Sequence, residues 1–121
     1  MSITPRVLII DDSELILAAA ELGLTHAGWD VRTSSSGEEG LAAGIADPPD
    51  VILLDLTMPG MPGTEVLARL RKAPATQAVP IVLLTASPEL ADGHEADGIV
   101  TKPFPPLELA ARVRGALGWA P

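Results

Sequence analysis

The sequence predicts an α/β fold in which five parallel strands form one open, doubly wound sheet with helices on both faces. Three observations predict this class. Short runs of Val, Ile and Leu carry no polar residue, which is typical of strands that are covered on both faces. Segments with helical spacing of apolar residues alternate with these runs, as in right-handed βαβ units. Polar side chains follow directly after the runs, at the edge where the strands of a parallel sheet end together.

Five segments are predicted as strands, and three of them are unbroken apolar runs. The segment that begins at Trp29 alternates in part between apolar and polar residues, so it is expected nearer an edge of the sheet. The last segment is the weakest, since only two of its residues are apolar. The predicted strands are Val7–Ile10, Trp29–Ser34, Val51–Leu54, Ile81–Leu84 and Ile99–Val100.

Four segments are predicted as helices. Asp12 or Ser13 is suited to cap the first helix, because a short polar side chain accepts from the free N–H groups there, and Gly28 is suited to end it. The second helix ends at Ala46, because Asp47 and the two prolines after it terminate a helix. The predicted helices are Ser13–His26, Ser36–Ala46, Thr64–Lys72 and Leu107–Leu117.

Helical spacing also predicts which side chains the first and last helices bury. For the first helix these are Leu15, Ile16, Ala18, Ala19 and Leu22. For the last helix they are Leu109, Val113, Ala116 and Leu117.

The connection between the fourth and fifth strands is too short for the full helix that the alternation would place there. Pro88 suits the first position of a helix, but Asp92 and Gly93 follow within one or two turns and break it. We therefore expect a shortened or irregular fourth helix with few apolar contacts and greater mobility than its neighbours.

Composition limits the classes of function. The 121 residues suffice for a single domain, expected to span residues 1–121. The net charge of −8 argues against direct binding to nucleic acid, which requires a basic surface. The absence of cysteine excludes disulfides and thiolate metal sites, and it fits a reducing compartment. No apolar run approaches the roughly 20 residues that cross a bilayer, and no signal peptide is recognisable, so we expect a cytoplasmic protein that binds no membrane.

Five polar side chains follow the predicted core strands and are expected to meet at one edge of the sheet. They are Asp11, Asp12, Asp55, Thr85 and Lys102. Three carboxylates so close together would raise one another's pKa, and a hard divalent cation relieves that repulsion. Mg²⁺ suits this set because it binds carboxylates, waters and phosphate oxygens. A carboxylate beside Mg²⁺ is a plausible nucleophile toward phosphorus, with the lysine and the hydroxyl sharing the charge on the phosphoryl oxygens.

Four motifs in order along the chain resemble the receiver domain of two-component response regulators, and the resemblance covers essentially the whole sequence. The motifs are Val7-Leu8-Ile9-Ile10-Asp11-Asp12-Ser13, Leu54-Asp55-Leu56-Thr57-Met58-Pro59-Gly60-Met61-Pro62-Gly63, Leu84-Thr85-Ala86 and Thr101-Lys102-Pro103-Phe104. The resemblance implies a flavodoxin-like (βα)5 fold. It implies a domain that is not itself an enzyme and that takes a phosphoryl group from a sensor histidine kinase or a histidine phosphotransfer protein. The downstream partner is not identified by the sequence.

The resemblance also implies a role for each matching residue. Asp55 would be the phosphoacceptor. Asp11, Asp12 and Asp55 would hold Mg²⁺ together with the backbone carbonyl of Thr57. Thr85 would be the switch hydroxyl, and Lys102 would pair with a phosphoryl oxygen. The Lys102–Pro103 bond is the one that the family usually has in cis.

The sequence departs from the family pattern at two places on one face. The fourth helix is shortened, as described above. Ile99 stands three residues before the lysine, where receivers typically carry an aromatic side chain that moves together with the switch hydroxyl. These changes leave the phosphorylation chemistry intact but put the usual output mechanism in doubt.

Other readings of the same residues are possible. Asp11 and Asp12 could merely cap the first helix, and Asp55 could be a turn residue. The chain could be an interaction module that kept the fold and lost phosphorylation, since residues 88–99 are altered. It could also be a Mg²⁺-dependent phosphatase of the haloacid-dehalogenase type, but that family needs a second acid where this chain has Thr57.

Overall fold

Five parallel strands form one sheet in the computed structural model, which describes residues 4–119. The strands are β1 (Arg6–Ile10), β2 (Asp30–Ser34), β3 (Val51–Asp55), β4 (Ile81–Thr85) and β5 (Gly98–Thr101). Their order across the sheet is β2-β1-β3-β4-β5, so the direction of winding reverses between β1 and β3. The predicted fold class is confirmed. Each strand is shifted from its prediction by one residue at one end, except β5, which is one residue longer at both ends.

Four α-helices and two short 3-10 turns lie between and after the strands. The α-helices are α1 (Glu14–His26), α2 (Gly37–Ala46), α3 (Gly63–Lys72) and α4 (Leu109–Leu117). The 3-10 turns are Pro88–Ala91 and Pro106–Glu108. The hydroxyl of Ser13 caps α1 by accepting from the N–H of Ile16, and that of Ser36 caps α2. None of the helices between residues 4 and 119 is long and apolar enough to cross a bilayer.

The core has one layer on each face of the sheet. Alternate strand residues point to opposite faces, so Val7 and Ile9 pack with α1 and α4, while Leu8 and Ile10 pack with α2 and α3. All five residues of β3 and all five of β4 are buried. This confirms that the unbroken apolar runs are central strands that both layers cover.

The predicted buried face of α1 is largely wrong. Leu15 is 79% exposed and Leu22 63% exposed, and Ala18 also faces solvent, whereas Ile16 and Ala19 are partly buried. The residues that α1 buries fully are Ala20, Gly23 and Leu24. The physical reason is a close contact, because a Cβ on Gly23 would overlap the backbone of Pro106. A glycine therefore lets α1 approach the second 3-10 turn, and this contact rotates the leucines outward.

The last helix begins two residues later than predicted. Leu107 lies in the 3-10 turn and is exposed, and α4 starts at Leu109. The predicted face of α4 is otherwise confirmed, since Leu109 and Val113 are buried and Leu117 packs against the same core.

The two tryptophans form a tilted ring pair, with 35° between their planes, at the end of the sheet opposite the carboxyl ends of the strands. The ring centroids of Trp29 and Trp119 are 6.0 Å apart, and the guanidinium of Arg114 lies 5.2 Å from the centre of the Trp29 ring. Gly118 ends α4 with a φ of +70°, which allows the N–H of Trp119 to donate to the carbonyl of Arg114.

The connection from β4 to β5 contains only one 3-10 turn, as the sequence predicts. The turn Pro88–Ala91 begins at the predicted proline, and Gly93 follows with a φ of +84°. Arg71 of α3 holds the rest of the connection. Its guanidinium donates to the carbonyls of Gln77, Val79 and Glu95, and it pairs with Asp97 at 2.7 Å. The predicted mobility of this connection stays a prediction.

Candidate functional site

The candidate site lies at the carboxyl ends of β1, β3 and β4. In the parallel register Ile10 is opposite Leu54 and Asp55 is opposite Leu84, so the residues that follow β1 and β4 flank Asp55. This is the position where the winding of the sheet reverses, and ligands of open α/β sheets bind in the crevice at such a point. The fold therefore brings side chains that are far apart in sequence to one place.

Three carboxylates meet in this crevice. One oxygen from each of Asp11, Asp12 and Asp55 lies within 4.8 Å of the others. Asp11 is fully buried, Asp55 is nearly so, and Asp12 is exposed. The predicted convergence of the acidic residues is therefore present in the structure, with one carboxylate open to solvent.

Lys102 connects two of the carboxylates. Its ammonium lies 2.7 Å from Oδ2 of Asp11 and 3.2 Å from Oδ1 of Asp55. The Lys102–Pro103 peptide bond is cis, as the resemblance implies. Oδ1 of Asp11 also accepts from the N–H of Ser13 at 2.9 Å, so both oxygens of this buried carboxylate are engaged. Ser13 therefore both caps α1 and orients Asp11, a second role that the sequence did not reveal.

The charges in the crevice shift two pKa values in the same direction. The pKa of Asp55 is raised, chiefly by burial and then by the charge of Asp11. Lys102 and the N–H of Thr57 act in the opposite direction, but their effect is smaller. Burial lowers the pKa of Lys102, but its hydrogen bond to Asp11 and the charges of Asp11 and Asp55 outweigh that effect and raise it. Burial and the charge of Asp11 together therefore favour the protonated form of Asp55 even with Lys102 beside it.

Thr85 ends β4 beside this cluster. Its side chain is buried, and its hydroxyl oxygen accepts from the N–H of Ser87 at 2.9 Å. Ser87 directly precedes the turn Pro88–Ala91, so the hydroxyl contacts the residue from which that turn starts. The sequence predicted the position of Thr85 but gave no signal for its contact with Ser87.

Thr57 lies in the loop after β3, two residues beyond Asp55. Its side chain is exposed, and its N–H lies 3.4 Å from Oδ1 of Asp55. Gly63 closes this loop against the strand, because a Cβ there would overlap the backbone carbonyl of Asp55. This glycine, the last residue of the second motif, thus allows the chain to pass close to the backbone of Asp55.

Comparisons with known proteins agree on one family. Residues 7–114 match the family described as response regulator receiver domain. The DNA-binding dual master transcriptional regulator RpaA of Synechocystis is 39% identical over 118 residues, which are 93% of this chain and 49% of that protein. The transcriptional regulatory protein PhoP of Bacillus subtilis is 40% identical over 117 residues, 93% of this chain and 48% of that protein. The chain thus spans about half the length of these relatives.

Solved structures show the same architecture. The chemotaxis response regulator CheY4 of Vibrio cholerae superposes with a TM-score of 0.86 at 34% identity, and the match covers 94% of this chain and 99% of that one. The N-terminal domain of a response regulator receiver protein from Methanoculleus marisnigri gives a TM-score of 0.77 at 35% identity, with 98% and 100% covered. The chain therefore shares its overall fold with solved receiver structures.

Proposed function

This chain belongs to the response regulator receiver domain family of two-component systems, and we propose that it accepts a phosphoryl group on Asp55 in a reaction that requires Mg²⁺. One observation carries the proposal. The carboxylate of Asp55 lies in a crevice with two further carboxylates and a lysine ammonium 3.2 Å away, so a nucleophile, metal ligands and a cation for phosphoryl oxygens are present together. We propose that residues 1–121 act as a single receiver unit.

The residues of the crevice fit Mg²⁺. All the available donors are hard oxygens, three carboxylates lie within 4.8 Å of one another, and only one ammonium offsets their charge. We propose that Asp12 and Asp55, the backbone carbonyl of Thr57, and Asp11 hold the ion. When bound, Mg²⁺ would neutralise the carboxylates and the oxygens of an incoming phosphoryl group. Asp11 already accepts from Ser13 and Lys102, so it orients the lysine as well.

The proposed transfer uses Asp55 as the nucleophile. A carboxylate oxygen of Asp55 attacks the phosphorus of a phosphohistidine, the phosphorus–nitrogen bond breaks, and the electron pair stays on the imidazole nitrogen. Lys102 is placed to move from the Asp55 carboxylate to a phosphoryl oxygen, because its ammonium already lies between Asp11 and Asp55. The hydroxyl of Thr85 accepts from Ser87 through a lone pair, which leaves its proton available for another phosphoryl oxygen.

The exposed face of α1 supports a protein as the phosphoryl donor. Leu15 and Leu22 are both exposed, and they are seven residues apart on α1, so they lie on one side of the helix. Leu107 is also exposed, and it directly follows Pro106, the residue that packs against Gly23 of α1. We call these three exposed leucines the apolar strip; two of them lie on α1, whose N-cap Ser13 directly follows Asp12 of the crevice. We propose that a sensor histidine kinase or a histidine phosphotransfer protein covers this strip during transfer. Such a donor implies that the domain works in the cytoplasm.

Intact-mass measurement tests the proposal. The purified chain is incubated with acetyl phosphate or phosphoramidate, with Mg²⁺ or with EDTA. We expect one added phosphoryl group with Mg²⁺ and none with EDTA. Asp55→Asn should take up none, whereas Asp92→Asn, which removes an exposed carboxylate far from the crevice, should take up as much as the unmodified chain.

The other readings predict different results. If the folded chain binds Mg²⁺ but takes up no phosphoryl group from small donors or from phosphorylated histidine phosphotransfer proteins, the interaction module is the better description. Continuous release of phosphate from a phosphoester such as p-nitrophenyl phosphate, abolished in Asp55→Asn, would instead indicate a phosphatase. Phosphoryl uptake, Mg²⁺ binding and phosphate release together therefore decide among the three.

A further inference from the structure

The tripeptide Ala-Asp-Gly occurs twice in the connection from β4 to β5, as Ala91-Asp92-Gly93 and as Ala96-Asp97-Gly98. An aspartate before glycine is chemically the most prone to rearrange, because glycine has no side chain to shield its nitrogen from the neighbouring carboxyl group. The sequence contains no third Asp-Gly pair and no asparagine. Because the two copies have the same local sequence, a difference in their reactivity must come from the fold.

The second copy is held by the fold. Oδ2 of Asp97 accepts from the guanidinium of Arg71 at 2.7 Å and from the N–H of Ile81 at 2.8 Å. Gly98 is the first residue of β5, and a Cβ on it would meet the side chain of Ala116. The carboxyl group and the glycine nitrogen therefore cannot approach each other unless these contacts break.

The first copy lacks such contacts. Asp92 is exposed, and its carboxylate takes part in none of the side-chain hydrogen bonds or ion pairs found in residues 4–119. The N–H of Gly93 makes no backbone hydrogen bond within the same part of the chain. Gly93 has a φ of +84°, and a Cβ on it would meet nothing within 4 Å. Both reacting groups are therefore free and lie in open space.

The backbone around the first copy is weakly held as well. Ring closure between the carboxyl group and the next nitrogen requires rotation about the Cα–C bond of Asp92. The flanking hydrogen bonds are long, at 3.4 Å from the N–H of Asp92 to the carbonyl of Glu89 and 3.2 Å from the N–H of His94 to the carbonyl of Ala91. Little therefore opposes the rotation.

We propose that Asp92 is a site of spontaneous isomerisation to isoaspartate and that Asp97 is protected from the same reaction. The nitrogen of Gly93 attacks Cγ of the protonated Asp92 carboxyl group, a nitrogen–Cγ bond forms, and the hydroxyl leaves as water with the amide proton. Water then adds to the backbone carbonyl carbon of Asp92 in this cyclic imide. The bond from that carbon to the nitrogen breaks, and the nitrogen takes a proton from the water. The main chain now runs through Cβ and Cγ of Asp92, and the former backbone carbonyl is a free carboxylate.

The product has the chemistry of a methyl acceptor. The new carboxylate on this exposed connection can take a methyl group from the sulfonium of S-adenosylmethionine, which leaves as S-adenosylhomocysteine, at an enzyme that recognises isoaspartyl residues. The isomerisation itself needs only water and does not involve Asp55. It therefore stands or falls separately from the proposed function.

Ageing of the full chain in H₂¹⁸O near neutral pH tests the proposal. A glutamate-specific protease then separates the two sites into the peptides Leu90–Glu95 and Ala96–Glu108, and electron-transfer fragmentation identifies isoaspartate in each. We expect ¹⁸O-labelled isoaspartate to form at least about tenfold faster at Asp92, because Asp97 must first break two hydrogen bonds to its charged carboxylate. In guanidinium chloride, which removes the fold, both sites should react at similar rates. Equal rates in the folded chain, or reaction at Asp92 only after unfolding, would overturn the proposal.

Variants test the cause of the difference. Arg71→Ala removes the guanidinium from Asp97 and should accelerate isomerisation there about tenfold, whereas Arg69→Ala, on the same helix, should leave both sites unchanged. Circular dichroism checks that each variant is folded. Asp92→Glu leaves the fold untouched but lengthens the side chain, so the five-membered imide cannot form.

Methyl transfer from S-adenosylmethionine by an isoaspartyl methyltransferase then counts the modified sites. The aged unmodified chain should accept methyl groups, and aged Asp92→Glu should accept almost none. Methyl acceptance that persists in Asp92→Glu would place the reaction elsewhere and refute the assignment. Equal rates at Asp97 in Arg71→Ala and Arg69→Ala would refute the protection by Arg71.

Discussion

The ammonium of Lys102 lies closer to Asp11, at 2.7 Å, than to Asp55, at 3.2 Å. Asp11 is the fully buried carboxylate of the pair, so it depends most on this counter-charge. A buried charge that loses its partner keeps the full cost of its removal from water. The lysine therefore stabilises the fold in addition to its proposed part in phosphoryl transfer.

Removal of this ammonium should destabilise the protein. We expect Lys102→Ala to lower the free energy of unfolding by about 3 kcal/mol in the absence of Mg²⁺, because it leaves Asp11 buried and unpaired. Urea denaturation followed by circular dichroism measures the change. Lys72→Ala, which removes an exposed lysine, should alter stability by less than about 0.5 kcal/mol. Equal stability of the two variants would show that Asp11 does not need Lys102.

The raised pKa of Asp55 predicts a pH-dependent effect of its substitution. A folded-state pKa above the unfolded value means that the folded protein binds this proton more tightly than the unfolded protein does. The stability that Asp55 contributes is therefore present below the unfolded pKa, and it is lost as the pH rises through the folded pKa. Asn does not titrate. Asp55→Asn should therefore be more stable than the unmodified chain at pH 7 without Mg²⁺, and the difference should shrink as the pH falls toward about 4.

Urea midpoints at both pH values check this expectation. Asp92→Asn serves as the control, because its carboxyl is exposed on the connection. A stability difference between Asp55→Asn and the unmodified chain that grows on acidification would contradict the direction of the shift.

Arg71 should be the residue on which the short connection most depends. Its largely buried guanidinium binds the carbonyl of Glu95 and the carboxylate of Asp97 in this connection, and it also binds the carbonyls of Gln77 and Val79 in the loop before β4. We expect Arg71→Ala to cost about 3 kcal/mol, and Arg71→Lys to recover only part of that because an ammonium cannot reproduce the planar fork. Hydrogen exchange should accelerate first at residues 92–97.

The matched control for Arg71 is Arg69→Ala. Arg69 lies on the same helix, but it makes an exposed i,i+4 pair with Glu65. Such pairs contribute about 0.3–0.5 kcal/mol. If Arg69→Ala and Arg71→Ala cost the same, the connection is held by other contacts.

Substitution by alanine should change the stability of the protein in opposite directions at two glycines, Gly63 and Gly115. A Cβ at Gly63 would overlap the carbonyl of Asp55, so Gly63→Ala must displace the backbone under the crevice and should lower both stability and phosphoryl uptake. A Cβ at Gly115 in α4 meets nothing within 4 Å, so Gly115→Ala should add about 0.5–1 kcal/mol and leave uptake unchanged. Thermal melts and the mass experiment measure both; a Gly63→Ala protein with normal uptake would show that the loop tolerates the added methyl group.

The sequence predicted the sheet well because its strands are unusually uniform. An unbroken run such as Val51–Leu54 can satisfy its apolar side chains only between two layers, and the carboxyl ends of such strands must share an edge. The positions of Asp11, Asp55 and Lys102 follow from that rule alone. Their proposed roles rest on the motifs and await the phosphorylation experiment.

The face of α1 could not be predicted by the same reasoning. The helix reads ELILAAAELGLTH, so apolar residues occur on nearly every side and no stripe stands out. Its orientation is decided instead by the close contact between Gly23 and Pro106, which are 83 positions apart along the chain (106 − 23 = 83). Nothing in the local pattern of α1 indicates that contact.

The bonds of Arg71 were also invisible in the sequence. An arginine in the last turn of a helix is typical of a favourable interaction with the helix dipole, and Asp97 beside a glycine is typical of a turn. Their pairing depends on how far α3 lies from the start of β5, which only the packed structure determines. The shortened crossover was predictable from Asp92 and Gly93, but the side chain that holds it was not.

The paired indoles of Trp29 and Trp119 give the protein an intrinsic optical probe that is separate from the acidic crevice. Because this ring pair joins the residue before β2 to the residue after the Gly118 cap of α4, fraying of α4 would part the rings and change their emission while the sheet is still intact. Fluorescence and far-ultraviolet dichroism should therefore report two distinct steps during denaturation, with the emission change at the lower concentration of urea.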